Sequence, residues 1–424
     1  MTERAARSTK PLLQILGPGL ISGASDDDPS GIATYSQVGA QLGFGMSWIM
    51  LFSFPLMTAI QEVSARIGRV TGEGIAGNMR RHYPPFLLHG VVGLLLIANL
   101  INLGADLGAM AEALTLLAGG PAFLYVVFFG GLCAGLEIFL SYRRYAGFLK
   151  WSTLALFAYV ATAFVVDLPW SKVIAGTLLP TIRFDSSYIV AIVAVLGTTI
   201  SPYLFFWQSS LEAEDESDDP LAQPLIDAPS QAPTELRRIR IDTLLGMFFS
   251  NAIGWFIIVT VAATLNAHGI TEITTSAQAA EALRPIAGRF AFALFALGII
   301  GTGMLAVPVL AGSAAYALAE ALQWPFGLAR RPMDAKAFYG TIAVATLIGV
   351  VFNLLPFDPI KALFWAAVLN GVVAVPIMVV TMLMARQREV MGEFVLGLPL
   401  ALLGWLATAV MAAVAIAMFV TSSG

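Results

Sequence analysis

Charge is what this chain has least of. Of its 424 residues only 12% are Asp, Glu, Lys or Arg, about half of the roughly 25% found in a soluble domain. A water-exposed surface cannot be built from that inventory, and 58% of the residues are hydrophobic. Cysteine is nearly absent: Cys133 stands alone, which excludes an intrachain disulfide and any CxxC metal motif. The three histidines, His82, His89 and His268, fall in or near expected loops and carry no assigned role. Neither HExxH nor a GxSxG arranged with a base is present, so an intramembrane enzyme is not expected. No small-residue cleavage site follows a short apolar core near the start, so no cleavable signal peptide is expected. The net charge of −4 says little, because most of the acids sit in one segment, and no nucleic-acid partner is expected.

What is present is a series of long apolar stretches, each near the ~20 residues needed to cross a bilayer. Eleven spans are expected, near 12–40, 46–66, 87–117, 121–141, 148–167, 187–211, 241–265, 287–320, 338–356, 360–385 and 395–421. The chain therefore reads as an all-α integral membrane protein with the lipid bilayer as its solvent. With residues 1–11 as a cytoplasmic tail, 18 of the 23 Lys and Arg residues fall on the cytoplasmic side. Lys172, Arg183, Arg284, Arg289 and Lys361 are the exceptions. This excess of basic residues orients the protein in a cell membrane with its N-terminus inside and its C-terminus outside. A polar segment, 212–240, beginning EAEDESDDP, is expected to be a solvated cytoplasmic loop between two groups of five spans, 12–167 and 187–385, with 395–421 as an extra span.

Two spans are interrupted. The first reads GPGLISGASDDDPSGIATYSQVG, with Asp26, Asp27 and Asp28 in its middle, followed by Pro29 and Gly31. Each ionised acid at bilayer depth costs ~2.5 kcal/mol or more, so three in a row cannot face lipid. Pro29 removes a backbone donor and Gly31 permits non-helical conformations. Together they predict an unwound stretch lining a wet cavity. The sixth span, LGTTISPYLFFWQSS, has Gly197 and Pro202 with Thr198, Thr199, Ser201 and Tyr203 around the break. Spans one and six open the two five-span halves, and broken helices in matching places point to a transporter's central site.

The same two segments resemble the NRAMP family of divalent-metal transporters. Gly17-Pro18-Gly19 and Asp28-Pro29-Ser30-Gly31-Ile32-Ala33-Thr34 are similar to the family's G-P-G and D-P-G-N-x-A-T. Gln61–Gly72, QEVSARIGRVTG, is similar to Q-S-L-S-A-R-L-G-I-V-T-G, and Leu196–Tyr203 to L-G-A-T-V-M-P-H. Asp358-Pro359-Ile360-Lys361-Ala362-Leu363 resembles D-P-T-R-A-L before the tenth span. The resemblance implies the inverted-repeat, five-plus-five fold of the amino-acid transporter LeuT, with helices one and six broken. It also implies a metal held by the first-helix Asp and Asn, the sixth-helix Met and a carbonyl near the sixth-helix Ala. Carried onto this chain, those positions are Asp28, Gly31, Ser201 and Thr198.

The departures from the family pattern change the chemistry expected. Ser201 removes the soft thioether and Gly31 shrinks a side chain, which leaves an oxygen-lined, roomier pocket, with Thr198 at the Ala position. Thioether sulfur suits softer transition metals, whereas Mg²⁺ wants oxygen ligands and gives up its waters reluctantly. Asp26 and Asp27 add negative charge where family members usually have none. The pattern resembles the NRAMP-related magnesium transporter branch, so Mg²⁺, with Mn²⁺ as a second ion, is the expected cargo, and no resident cofactor is expected. The family's coupled proton uses a sixth-helix His and a third-helix D-L-A-E. Here those positions are Tyr203 and Asp106-Leu107-Gly108-Ala109, and paired ninth-span arginines have no counterpart. Uncoupled transport is therefore expected, with Asp106, Asn370, Thr199 and Tyr203 as further pathway candidates. The rivals are a proton-coupled Mn²⁺/Fe²⁺ transporter and, within the same fold, an amino-acid or amine transporter, whose substrate carboxylate three aspartates would repel. Sequence does not separate carrier from channel and indicates no oligomeric state.

Overall fold

The computed structural model describes residues 17–140, 152–356 and 358–422. The tail 1–11, the starts of the spans expected at 12–40 and 148–167, and Arg4, Arg7, Lys10, Arg143, Arg144 and Lys150 lie outside the described residues. Every regular element among the described residues is helical. The first span is two helices, α1 (Pro18–Asp26) and α2 (Pro29–Leu42). Then come α3 (Trp48–Thr71), α4 (Ile75–His82), α5 (Pro85–Ala118), α6 (Ala122–Phe139), α7 (Phe157–Val165) and α8 (Trp170–Leu178). The sixth span is again two helices, α9 (Ser186–Thr199) and α10 (Pro202–Asp218). The chain continues through α11 (Ala232–Thr264), α12 (Ser276–Glu281), α13 (Ala291–Leu322), α14 (Lys336–Phe352), α15 (Pro359–Met384) and α16 (Leu398–Ser422). Eight continuous or broken helical stretches among the described residues are long and apolar enough to cross a membrane. Each of the eleven expected spans has a helical counterpart.

Proline sets where these helices begin. Pro29 and Pro202 occupy the first helical turn of α2 and α10, where a missing N–H deprives the helix of nothing and the fixed φ is already helical. The breaks therefore lie before the prolines, at Asp27–Asp28 and at Ile200–Ser201, where the backbone turns extended. Gly31, expected to take part in the unwinding, lies inside the first turn of α2. The α1 and α2 halves rest on α11, α9 packs on α15, α10 packs on α3, and α13 runs along α5. Small residues let the central backbones touch. A Cβ on Gly23 would collide with the Gly246 carbonyl, and one on Gly197 with the Ala367 carbonyl. Close approach of this kind drives helix association where lipid offers no hydrophobic gradient.

The polar segment after the sixth span is less open than a solvated loop. It is helical as far as Asp218, and Glu212 is fully buried against the Arg238 guanidinium. Glu214 accepts hydrogen bonds from Tyr316 Oη, from Leu328 N at 3.1 Å and from Ala329 N at 2.7 Å. The acids at its start continue the helix and tie it to α11 and α13.

That same end of the bundle is tied together by hydrogen bonds among the described residues. Asp242 on α11 accepts from Gly17 N, Gly19 N and Leu20 N at 3.0, 2.7 and 3.1 Å, so a neighbouring helix caps α1. Arg238 also bonds Glu235 at 3.0 Å, and Arg69 donates to Gln223 O at 2.7 Å. At the other end of the first span a hollow of about 300 Å³ opens between Gln37, Gln41, Ile273, Ile360, Phe364 and Trp365. Removing an N-cap costs about 1 kcal/mol, a factor of about five in an equilibrium. Asp242→Ala should therefore loosen α1 and raise the rate at which a Ser22→Cys thiol reacts with a polar reagent about five-fold. Cys133, the native thiol, is buried and gives little background. An unchanged rate would show that Asp242 does not hold this end shut.

Candidate functional site

The site forms where the two breaks meet. Asp28 is the N-cap of α2: its Oδ1 accepts from Gly31 N at 2.6 Å. Its Oδ2 accepts from Asn102 Nδ2 on α5 at 3.1 Å, and Tyr203 lies beside it. The C-terminal ends of α1 and α9 face this region, and exposed carbonyls at a helix C-terminus carry partial negative charge. Half-helix ends of this kind coordinate cations in membrane transporters.

The expected residues divide by geometry. Gly31 and Thr198 are in contact: a Cβ on Gly31 would lie 3.2 Å from Thr198 Oγ1 and 3.3 Å from the Asp26 carbonyl. Ser201 Oγ donates to the Gly197 and Thr198 carbonyls at 2.9 and 2.8 Å, bridging the break. Tyr203 Oη donates to the Ser25 carbonyl at 3.0 Å, joining the two broken spans. Thr199 is turned back into its own helix, donating to the Val195 carbonyl at 3.0 Å. Asn370 is buried on α15, next to the Gly371 that packs on Val193 and Gly197.

Asp26 and Asp27 turn to α11, where Ser250 Oγ lies 2.5 Å from Asp26 Oδ2 and 3.3 Å from Asp27 Oδ1. Asp106 lies on α5 one turn beyond Asn102, fully buried. The Ser30 backbone N–H approaches it, but neither carboxylate oxygen has a well-formed hydrogen bond. Asp26 Oδ1 and Asn102 Oδ1 are likewise buried without a donor. Asp26, Asp27, Asp28 and Asp106 are each at most 5% exposed, and none of the ion pairs among the described residues includes them. Buried carboxylates without counter-charges, surrounded by orphaned oxygens, are an acceptor-rich environment that a cation would satisfy. Among the described residues no three His, Cys, Asp or Glu side chains converge as a ready-made metal cage. A bound cation would therefore draw on one or two carboxylates together with amide, hydroxyl or carbonyl oxygens and water.

Asn102, Ser250 and Asp242 were not among the expected site residues. Asn102 precedes Asp106 by four residues, the spacing that places two side chains on one helix face, and that signal was available in LINLGADLG.

An all-helical membrane bundle whose first and sixth spans break around buried carboxylates is the architecture of an inverted-repeat secondary transporter. The chain belongs to the Nramp family: the model for natural resistance-associated macrophage protein-like proteins matches residues 19–421. It is 26% identical over 417 residues to the divalent metal cation transporter MntH of Klebsiella pneumoniae (strain 342), covering 96% of this chain and 94% of that protein. It is 24% identical over 410 residues to MntH of Deinococcus radiodurans, covering 94% and 88%. Its fold superposes on a mutant of the Eremococcus coleocola manganese transporter with a TM-score of 0.76 at 16% identity, covering 98% of this chain and 88% of that one. It also superposes on inward-facing Mhp1 with a TM-score of 0.53 at 14% identity, covering 96% and 91%. The LeuT-like fold expected from the sequence is the fold observed.

Proposed function

We propose that this chain carries divalent cations across the cell membrane, with Mg²⁺ as the main ion and Mn²⁺ as a second, and that it does so without coupled protons. The observation that carries this reading is the oxygen set at the first break: Asp28 anchored by Asn102 and Gly31, with Asp106 and Asp26 uncompensated nearby. At the thioether position of the sixth span stands Ser201, whose hydroxyl is tied to two carbonyls. Mg²⁺ keeps several waters and binds through one or two carboxylates, which suits a site without a converged cage. The distribution of basic residues supports an orientation with the N-terminus in the cytoplasm and the C-terminus outside; in that orientation the capped end of α1 faces the cytoplasm and the hollow faces outward.

Uncoupled transport is supported by the groups around Asp28. Tyr203, with a reference pKa near ~10, is a poor relay at neutral pH and its hydroxyl is already given to the Ser25 carbonyl. Ala109 carries no carboxylate and α14 contains no arginine. The membrane potential is drive enough: a divalent ion gains ~4.6 kcal/mol per 100 mV, twice the value for one charge. A second reading, Mn²⁺ as the main ion, is favoured by the likeness to the Eremococcus coleocola manganese transporter and by Met110 Sδ lying against Gly303 near Pro29. Calorimetric titration of the purified protein separates the two. Saturable Mg²⁺ binding that lowers Mn²⁺ affinity competitively is expected; Mn²⁺ binding unaffected by excess Mg²⁺ would favour the second reading.

A further inference from the structure

The carboxamide of Asn102 is half used. Its Nδ2 donates to Asp28 Oδ2 at 3.1 Å, and an ionised carboxylate can only accept, so the amide must offer nitrogen there. Its Oδ1 is thereby turned aside, fully enclosed and without a donor. One turn along α5 both oxygens of Asp106 are buried without a well-formed hydrogen bond, with the Ser30 N–H as the nearest donor. Residues four apart share a helix face, so α5 brings three oxygens without a well-formed hydrogen bond to the side of the bundle that meets Asp28. Buried acceptors without donors are rare in native proteins and each calls for a missing partner.

We propose that Asn102 is an ion-selecting ligand whose amide stands in for the cation at Asp28 and then helps to bind it. As arranged here, the N–H of Asn102 occupies the carboxylate. A cation arriving at Asp28 Oδ2 repels that N–H, and rotation of the terminal amide exchanges nitrogen for oxygen. Terminal amide torsions are broad and roughly two-fold, so the exchange needs no backbone movement. The oxygen then joins the shell of the ion, with Asp106 behind it taking one of the ion's waters. This inference rests on the reading of the first break as the cation site.

Two substitutions separate a ligand from a group that only holds Asp28 in place. Asn102→Leu keeps the shape and removes both functions; Asn102→Asp keeps an oxygen and removes the donor. Titration of Mg²⁺ and Mn²⁺ into the detergent-purified full chain should show at least ten-fold weaker Mg²⁺ binding for Asn102→Leu, with a changed ratio of the two dissociation constants. Asn102→Asp should bind Mg²⁺ as tightly as the unchanged protein or more tightly. A purely positioning residue would weaken both variants alike and leave the ratio untouched, and that result overturns the proposal, as does Asn102→Leu binding within two-fold of the original. If the Leu variant is not monodisperse, the Asp variant decides alone, weaker binding being the contrary result. Normal Mg²⁺ binding by Asp28→Asn would overturn the site itself and this ligand with it; loss in Asp28→Asn beside normal binding in Asn102→Leu overturns the ligand alone.

Discussion

Asp28→Asn should reduce Mg²⁺ binding and uptake at least a hundred-fold, about 2.7 kcal/mol, while leaving the protein folded. Asp28 is where the carboxylate, the helix break and the amide of Asn102 come together, so the substitution takes the anchoring charge from the ion. Asn caps a helix N-terminus about as well as Asp, and its side-chain oxygen can still accept from Gly31 N, so α2 keeps its start. Asp26→Asn and Asp27→Asn are the matched controls. Their carboxylates face Ser250 on α11, and each loss should be smaller, about ten-fold or less, as expected for long-range attraction in place of direct coordination. Thermal unfolding and calorimetry on all three separate folding from binding. Near-normal uptake by Asp28→Asn, with the large loss at Asp26 or Asp27, would move the anchor to the face of α11.

The second large effect is a change of ion. Rebuilding the thioether site needs Gly31→Asn, Thr198→Ala and Ser201→Met together, and the structure gives the reason. A side chain at residue 31 would begin 3.2 Å from Thr198 Oγ1 and 3.3 Å from the Asp26 carbonyl, tighter than ordinary van der Waals contact. Gly31→Asn alone should therefore lower stability, and Thr198→Ala should restore part of it by removing the hydroxyl, the Asp26 carbonyl contact remaining. Ser201→Met frees the Gly197 and Thr198 carbonyls that Ser201 now bridges and supplies a soft sulfur in the same turn. The triple variant should shift preference from Mg²⁺ toward Mn²⁺ and Cd²⁺ by ten-fold or more, read by competition in an uptake assay. Retention of full Mg²⁺ preference over Cd²⁺ would show that ligand softness does not set the selectivity.

The broken spans were legible because three aspartates and a proline cannot be hidden in a lipid-facing helix. Asp28, Gly31, Thr198 and Ser201 were singled out by the resemblance of the two broken spans to the family's motifs; in the structure Gly31 lies against Thr198 and Ser201 bridges the second break. The position of each break was less legible, since proline can mark either the end of one helix or the beginning of the next; here Pro29 and Pro202 begin helices. Partners on other helices left weaker traces. Ser250, 224 residues from Asp26, and Asp242, 225 residues from Gly17, are single polar residues whose role depends on how α11 lies against α1. Thr199 illustrates the reverse case: it sits at the break in sequence, yet its hydroxyl bonds within its own helix, a satisfaction available to any Ser or Thr in an apolar span. The acids after Leu211 looked like a solvated run because composition does not reveal that Arg238 and Tyr316 lie close enough to hold them.

The measurement that bears most directly on the account is simultaneous recording of Mg²⁺ and proton entry into liposomes containing the purified chain, with one dye for each ion inside. Under an imposed inside-negative potential, Mg²⁺ entry should saturate with concentration, vanish in Asp28→Asn, and proceed without acidification of the lumen. Acidification that scales with Mg²⁺ concentration and disappears with Asp28 would contradict uncoupled transport, and absence of any Mg²⁺ entry while Mn²⁺ is taken up would contradict the identity of the ion.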